Sequence, residues 1–271
     1  MQTQNESYRL PIILRKVFMS KIIAFANQKG GVGKTTTALN VGASLAAVNK
    51  SVLLIDLDPQ GNAGTGLGFV RSSTKQSIYP VIMGMGDAAE NVLTTSVKGM
   101  HIIPSTQQLS GAEVELLDMD HREVRLKNAL AGIKRNYDYI LIDCPPAMGF
   151  LTINALVAAD FLIVPLQCEF LSLEGLSQMM KSTEIIRIKW NPELELMGIL
   201  LTMYDRRNNL SKAIEDDVRK NYGQKVFQTI IPRNVRASEA PSHGKPILFY
   251  DFNSITAQAY LKLATEVVDR T

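Results

Sequence analysis

The sequence predicts an α/β fold, a doubly wound and mostly parallel sheet flanked by helices, and three observations carry that prediction. Continuous apolar, β-rich runs recur along the chain, as strands buried on both faces should read. Helical stretches alternate with them, the pattern of parallel strands joined by crossovers. A glycine-rich turn separates the first run from the first helix, so the chain opens on a βαβ unit. With 271 residues, 46% of them hydrophobic, it can bury one substantial core.

Taken in order, the expected strands are 21–26, 52–57, 101–104, 139–143, 161–166 and 196–203, with helices over 35–48, 123–134 and 174–188. The stretch 205–250 reads as less regular and more basic. In the stretch 254–271, Ala257, Tyr260, Leu261, Leu263, Ala264, Val267 and Val268 recur at helical spacing, so a last helix should pack on the core. Residues 1–20 carry Arg9, Arg15 and Lys16 and read as a tail, either a flexible extension or the product of an upstream start. With no internal repeat or Pro/Gly/Ser-rich linker, residues 21–271 are expected to form a single domain. The apolar runs are far shorter than the ~20 residues of a membrane-spanning helix. Cys144 and Cys168 form no CxxC pair and the chain has three histidines, so neither a zinc site nor a disulfide framework is indicated. Both are expected to be small buried residues in a reducing cytoplasm.

Chemistry concentrates at strand ends. Asn27-Gln28-Lys29-Gly30-Gly31-Val32-Gly33-Lys34-Thr35-Thr36 follows a strand and opens a helix, the setting of a phosphate-binding loop. Glycines let N–H groups converge on an anion, the helix N-terminus adds partial positive charge, Lys34 can reach the outer phosphates and Thr35 can ligate Mg²⁺. A purely structural glycine turn is the competing explanation, and Gly-Lys-Thr between strand and helix weighs against it. The second strand runs into Asp56-Leu57-Asp58-Pro59-Gln60-Gly61-Asn62, where a carboxylate just past the strand can face the γ-phosphate and polarise water. Tyr139-Ile140-Leu141-Ile142-Asp143 ends in an acid suited to Mg²⁺, directly or through water.

The usual loop has glycine where Gln28 stands, and Lys29 follows it. Lys-Gly-Gly-Val-Gly-Lys-Thr resembles the deviant Walker A motif of the ParA/MinD superfamily, and further blocks resemble the ParA/Soj branch: Asp58 to Asn62, Arg125 to Leu130, Leu151 to Leu156 and Ile231 to Ile247. The resemblance covers nearly all of the chain from Met19 onward. It implies an ATPase using ATP and Mg²⁺, in which Lys29 reaches the nucleotide of a partner subunit, Asp58 positions water, and Thr35, Asp58 and Asp143 serve the metal. The nucleotide site would comprise Lys29, Gly30, Gly31, Val32, Gly33, Lys34, Thr35 and Thr36, with Met203 and Pro232 as walls for the base. It further implies an ATP-dependent homodimer, nonspecific binding to double-stranded DNA, a ParB/Spo0J-type partner, and a cytoplasmic, nucleoid-associated life moving chromosome or plasmid DNA.

Residues 201–250 hold nine Lys/Arg against five acids in a chain whose net charge is only +3. Such a block can neutralise phosphates without reading sequence, and any single lysine in it could equally be a solvated surface charge. By resemblance Arg207 and Arg236 are the DNA-binding arginines, with Arg206, Arg233 and Lys245 beside them. Two rivals stay open. A MinD-like membrane-positioning ATPase needs a basic amphipathic C-terminal helix, whereas the final stretch has only Lys262 and Arg270 as cations. A metabolic P-loop enzyme would give Lys29 no partner subunit to serve. Iron–sulfur relatives need cluster cysteines in motifs that Cys144 and Cys168 do not form.

Overall fold

The computed structural model describes residues 20–70 and 75–271; of the expected tail, residues 1–19 lie outside the described residues. Seven strands make one sheet: β1 (Lys21–Phe25), β2 (Val52–Asp56), β3 (Leu93–Thr94), β4 (Met100–Ile103), β5 (Tyr139–Asp143), β6 (Phe161–Gln167) and β7 (Glu195–Thr202). Their order is β3-β4-β2-β5-β1-β6-β7, parallel throughout except for β3 against β4. The six expected strands lie within a residue of these bounds. The two-residue β3 has too little sequence to show a period.

Both faces of the sheet are buried, which is why its strands read as unbroken apolar runs. Ile23, Phe25, Leu54 and Leu141 face one layer, while Ile22, Ala24, Leu53, Ile55, Ile140 and Ile142 face the other. The first layer is made by α1 (Lys34–Ala47) and the C-terminal helix. The second contains α2 (Phe150–Ala158) and α3 (Ser172–Lys189). Each large aliphatic side chain buried this way contributes about 1.5–3 kcal/mol. In α1, a Cβ on Gly42 would stand 2.8 Å from the Met100 methyl, so glycine lets this helix lie close on the sheet.

Two stretches differ from expectation. Residues 123–134 form a short helix, Arg125–Leu130, and then a 3-10 turn, Lys134–Asn136. Gly132 is a poor helix former, and the chain tightens there into i to i−3 bonds, Ala131 N–H to Asn128 and Ile133 N–H to Leu130. The supposedly irregular stretch 205–250 contains α4 (Asn209–Tyr222), whose N-cap Asn208 accepts from the Leu210 N–H at 2.9 Å. The final helix is present as α5 (Ile255–Asp269), capped by Ser254 and packed through Ala257, Tyr260, Leu263, Ala264 and Val267. Cys144 and Cys168 are buried and free. Among the described residues no helix is long and apolar enough to cross a membrane.

From β1 the chain passes over β5 to reach β2, and from β5 it passes over β1 to reach β6, in opposite directions. The carboxyl ends of β1 and β5 therefore flank a switch point, where a doubly wound sheet opens a crevice.

Candidate nucleotide site and its basic rim

The loop from β1 to α1 turns on Gly31 and Gly33, at φ +74° and +86°, a left-handed conformation costly for any residue with a Cβ. α1 starts at Gly33 with no side-chain cap. The N–H groups of Gly31 and Gly33 donate to no group among the described residues. Free amides at an uncapped helix start suit an anion. Asn27 steadies the loop from behind, its Nδ2 donating to the Pro165 carbonyl at 2.8 Å and its Oδ1 accepting from the Lys29 N–H at 3.0 Å.

The two loop lysines have different fates. Lys34 is buried, with Nζ donating to the Lys29 carbonyl at 3.2 Å. Burial lowers its pKa, opposed by the nearby carboxyl groups of Asp143 and Asp58. Lys29 is half-buried on the rim, and its Nζ meets Glu169, just past β6, at 2.5 Å.

Three acids converge behind the loop. Parallel register sets Asp143 beside both Phe25 and Asp56. Asp56 is fully buried, and its carboxylate accepts from the N–H groups of Asp58 at 3.1 Å, Ala63 at 3.1 Å and Gly64 at 3.3 Å. Burial pushes its pKa up to about 7 even against those bonds. Asp143 is equally buried, yet no hydrogen bond of good geometry reaches either carboxylate oxygen. Burial holds its pKa well above the carboxylate range, the Asp56 charge adds to this, and the Thr35 hydroxyl and the Lys34 ammonium pull the other way. Asp58 accepts from the Gln60 N–H at 2.9 Å and borders the cleft.

The cleft in front of the loop holds about 400 Å³. Gly30, Gly31, Gly33, Lys34, Thr35, Thr36 and Asp58 line its phosphate end, while Met203, Ala237, Pro241, Lys245 and Ile247 line the opposite side. Asn40 joins the two, with Nδ2 donating to the Thr36 carbonyl at 2.8 Å and Oδ1 accepting from the Ile247 N–H at 2.8 Å.

A family profile described as an AAA domain matches residues 20–196. The chromosome partitioning protein ParA of Caulobacter vibrioides is 53% identical over 252 residues, covering 92% of this chain and 94% of that protein. The sporulation initiation inhibitor protein Soj of Bacillus subtilis is 52% identical over 249 residues, covering 92% and 98%. The chain belongs to the ParA/Soj family of partitioning ATPases. Among solved structures, cobyrinic acid a,c-diamide synthase from Mycobacterium smegmatis with bound ADP and magnesium superposes with a TM-score of 0.81 at 37% identity, covering 92% and 94%.

ATP and Mg²⁺ are the cofactors of this ATPase family, and the residues here fit both. Two orphaned oxygens on a buried Asp143, beside Thr35 and Lys34, are costly to an empty protein and fit a cation. Thr35, Asp58 and Asp143 would hold the metal, which when bound neutralises charge on the outer phosphates. Among the described residues no three His, Cys, Asp or Glu side chains form a cage of their own. Magnesium tolerates this, because it keeps waters and takes ligands from phosphates.

The structure brings most of the expected site residues to this cleft, with four exceptions, the first being Asp143, which lies buried behind the loop. Val32 is buried and turns its carbonyl to Thr202 instead. Lys29 sits on the rim. Pro232 does not line the cleft; it sits in a parallel bridge opposite Tyr204, whose N–H donates to Ile231 and whose carbonyl accepts from Arg233. Of the basic residues, Arg206, Arg207, Arg233, Arg236 and Lys245 are all exposed. Arg207 is clamped by Asp205 through Nε at 3.1 Å and Nη2 at 3.0 Å. Arg236 meets Glu239 at 3.2 Å and Asp251 at 3.8 Å. Sequence reasoning gave no role to Asp56, Asn40, Glu169 or Thr202. Asp56 had a signal, as an acid at a strand end. The other three act through contacts 207, 140 and 170 residues away, which no local pattern reveals.

Proposed function

We propose that this ATPase dimerises face to face on ATP, binds double-stranded DNA without sequence preference, and moves chromosome or plasmid DNA with a ParB/Spo0J-type partner. Residues 21–271 act as one domain on the nucleoid in the cytoplasm. The reading is supported above all by the position of Lys29. A phosphate-loop lysine that stays on the rim, 2.5 Å from Glu169, while Lys34 occupies the loop, can leave that acid and reach the nucleotide of a second subunit. Asp58 positions the attacking water, its carboxylate bordering the phosphate end of the cleft.

Closure over two nucleotides sets two basic rims on one DNA. Each rim carries Arg206, Arg207, Arg233, Arg236 and Lys245, and doubling the phosphate contacts multiplies affinity. Hydrolysis and ADP return the single-rim form, which lets go. The relatives named for chromosome partitioning favour this cycle over a membrane or metabolic role. The metabolic name of the Mycobacterium smegmatis neighbour keeps one control in the test, turnover that requires a small substrate.

Gel shifts with nonspecific duplex, in apo, ADP and ATP states at two salt concentrations, test the proposal alongside Lys29→Ala and Arg207→Ala. Binding should need ATP, weaken with salt, fail in Lys29→Ala and weaken in Arg207→Ala, and a cognate ParB should accelerate hydrolysis. Absence of DNA binding in every state would remove the DNA role and leave the ATPase alone.

A further inference from the structure

The end of β7 touches the phosphate loop and a few residues later forms the tip of the basic rim. Thr202, its last residue, is buried, and its hydroxyl donates to the Val32 carbonyl at 2.8 Å across 170 residues of sequence. Val32 lies between the two left-handed glycines of the loop. A peptide unit is planar and trans, so a carbonyl held toward Thr202 sends the next N–H, that of Gly33, the opposite way. That N–H donates to no group among the described residues, which leaves it for a phosphate.

Beyond Thr202 the chain is tightly held. Met203 sits at φ +48°, a conformation non-glycine residues seldom adopt, and its methyl lies 4.0 Å from where a Gly33 Cβ would be. Tyr204 is anchored three ways: its N–H donates to Ile231 at 3.0 Å, its carbonyl accepts from Arg233 at 3.1 Å, and its hydroxyl donates to Glu215 of α4 at 2.6 Å. Glu215 in turn accepts from Arg219 at 2.9 Å. Asp205, Arg206 and Arg207 follow, and α4 begins two residues later. A strained residue between two fixed points transmits a displacement instead of absorbing it.

We propose that Thr202 is a positioning residue that aims the Gly33 N–H at the nucleotide phosphates and, through Met203 and Tyr204, makes the posture of the Asp205–Arg207 tip depend on nucleotide occupancy. The second half deepens the function proposed above and rests on it where DNA is concerned. The link itself, from phosphate loop to rim, does not require DNA to be measured.

The test compares the wild-type full chain with Thr202→Val, Thr202→Ser and Tyr204→Phe, measuring MgATP affinity and backbone hydrogen exchange over 203–210 without nucleotide and at saturating MgATP. Thr202→Val, which keeps shape and loses the hydroxyl, should bind nucleotide about three- to tenfold more weakly, the scale of one buried hydrogen bond. It should also lose the exchange change that ATP induces over 203–210, and Thr202→Ser should restore both. Tyr204→Phe cuts the far anchor, so it should keep nucleotide affinity and lose the exchange response. An unaltered exchange response in either variant, or none in the wild type, overturns the link; if Thr202→Val does not fold, Tyr204→Phe decides. DNA binding is read in parallel. A wild type that shows the exchange response without ATP-dependent DNA binding sinks the proposed function and leaves the link standing.

Discussion

The carboxyl ends of β2 and β5 and the loop after β7 both crowd acids with bases, and they treat those charges in opposite ways. Asp143 is fully buried with no hydrogen bond of good geometry to either oxygen, while Lys34 beside it is buried with a single backbone partner. Arg207 has a side chain 90% exposed, yet its guanidinium is matched edge to edge by Asp205. Buried, underpaired charge is held at a cost of several kcal/mol and is satisfied only by a ligand. Exposed, paired charge contributes little to stability and exchanges partners readily. The cleft is built to need its ligand, and the rim is built to trade partners.

The largest effect belongs to the buried side. Lys34→Ala removes the ammonium that stands at the phosphate end, and steady-state ATP turnover should fall about 100- to 1,000-fold in kcat/KM, the scale of one lost electrostatic stabiliser. A drop under tenfold would break the contrast, because Lys34 would then be as dispensable as a rim residue. Asp143→Asn sharpens it from the other direction. Replacing a buried, desolvated carboxyl group whose oxygens have no hydrogen bond of good geometry by a neutral amide should raise the melting temperature of the nucleotide-free protein by a few degrees at pH 8, while abolishing the extra nucleotide affinity that Mg²⁺ gives. Thermal melts with and without MgATP check both halves; a variant that is less stable without nucleotide would mean that Asp143 has a structural partner.

The sequence is legible to different depths in these two regions. Every strand longer than two residues could be read, because strands buried on both faces leave unbroken apolar runs, and the strand-end motifs placed Lys34, Thr35, Asp58 and Asp143 together. The rim was harder. Its helix α4 carries an amphipathic pattern, Ile214 and Val218 one turn apart among six charged residues from Lys212 onward, between the cap Asn208 and the terminal Gly223, and counting charge alone passes over that pattern. The positive count also hid the acids that partner it, since Asp205, Glu239 and Asp251 read as scattered surface residues until the fold brings them to Arg207 and Arg236. Thr202 shows the limit most plainly, for nothing near it in sequence points to a carbonyl in the first loop.

On the rim, effects should be smaller and tied to salt. Arg207→Ala should weaken ATP-dependent binding to nonspecific duplex uniformly across sequences, and make the log–log dependence of affinity on salt shallower by about one unit for each phosphate that goes unneutralised. A titration series from low to moderate salt reads that slope. An unchanged slope would return Arg207 to the solvated surface.

The smallest effect is the most specific. Asp205 fills the same two-pronged guanidinium edge that a phosphate would take, so under the proposed function it would compete with DNA for Arg207 in the free protein. The Arg207 guanidinium holds the Asp205 pKa down to about 2, so this clamp keeps its charge throughout the neutral range and is lost only in acid, as pH falls from the ordinary carboxylate value toward 2. Asp205→Asn should therefore tighten ATP-dependent DNA binding by a few fold, equally at pH 6 and pH 8, with ATP turnover in the absence of DNA unchanged. Fluorescence anisotropy with a labelled duplex reads both pH values. Weaker binding in Asp205→Asn would show instead that the acid presents Arg207 to DNA, a pre-organising contact of a kind that the unpaired oxygens of Asp143 do not make.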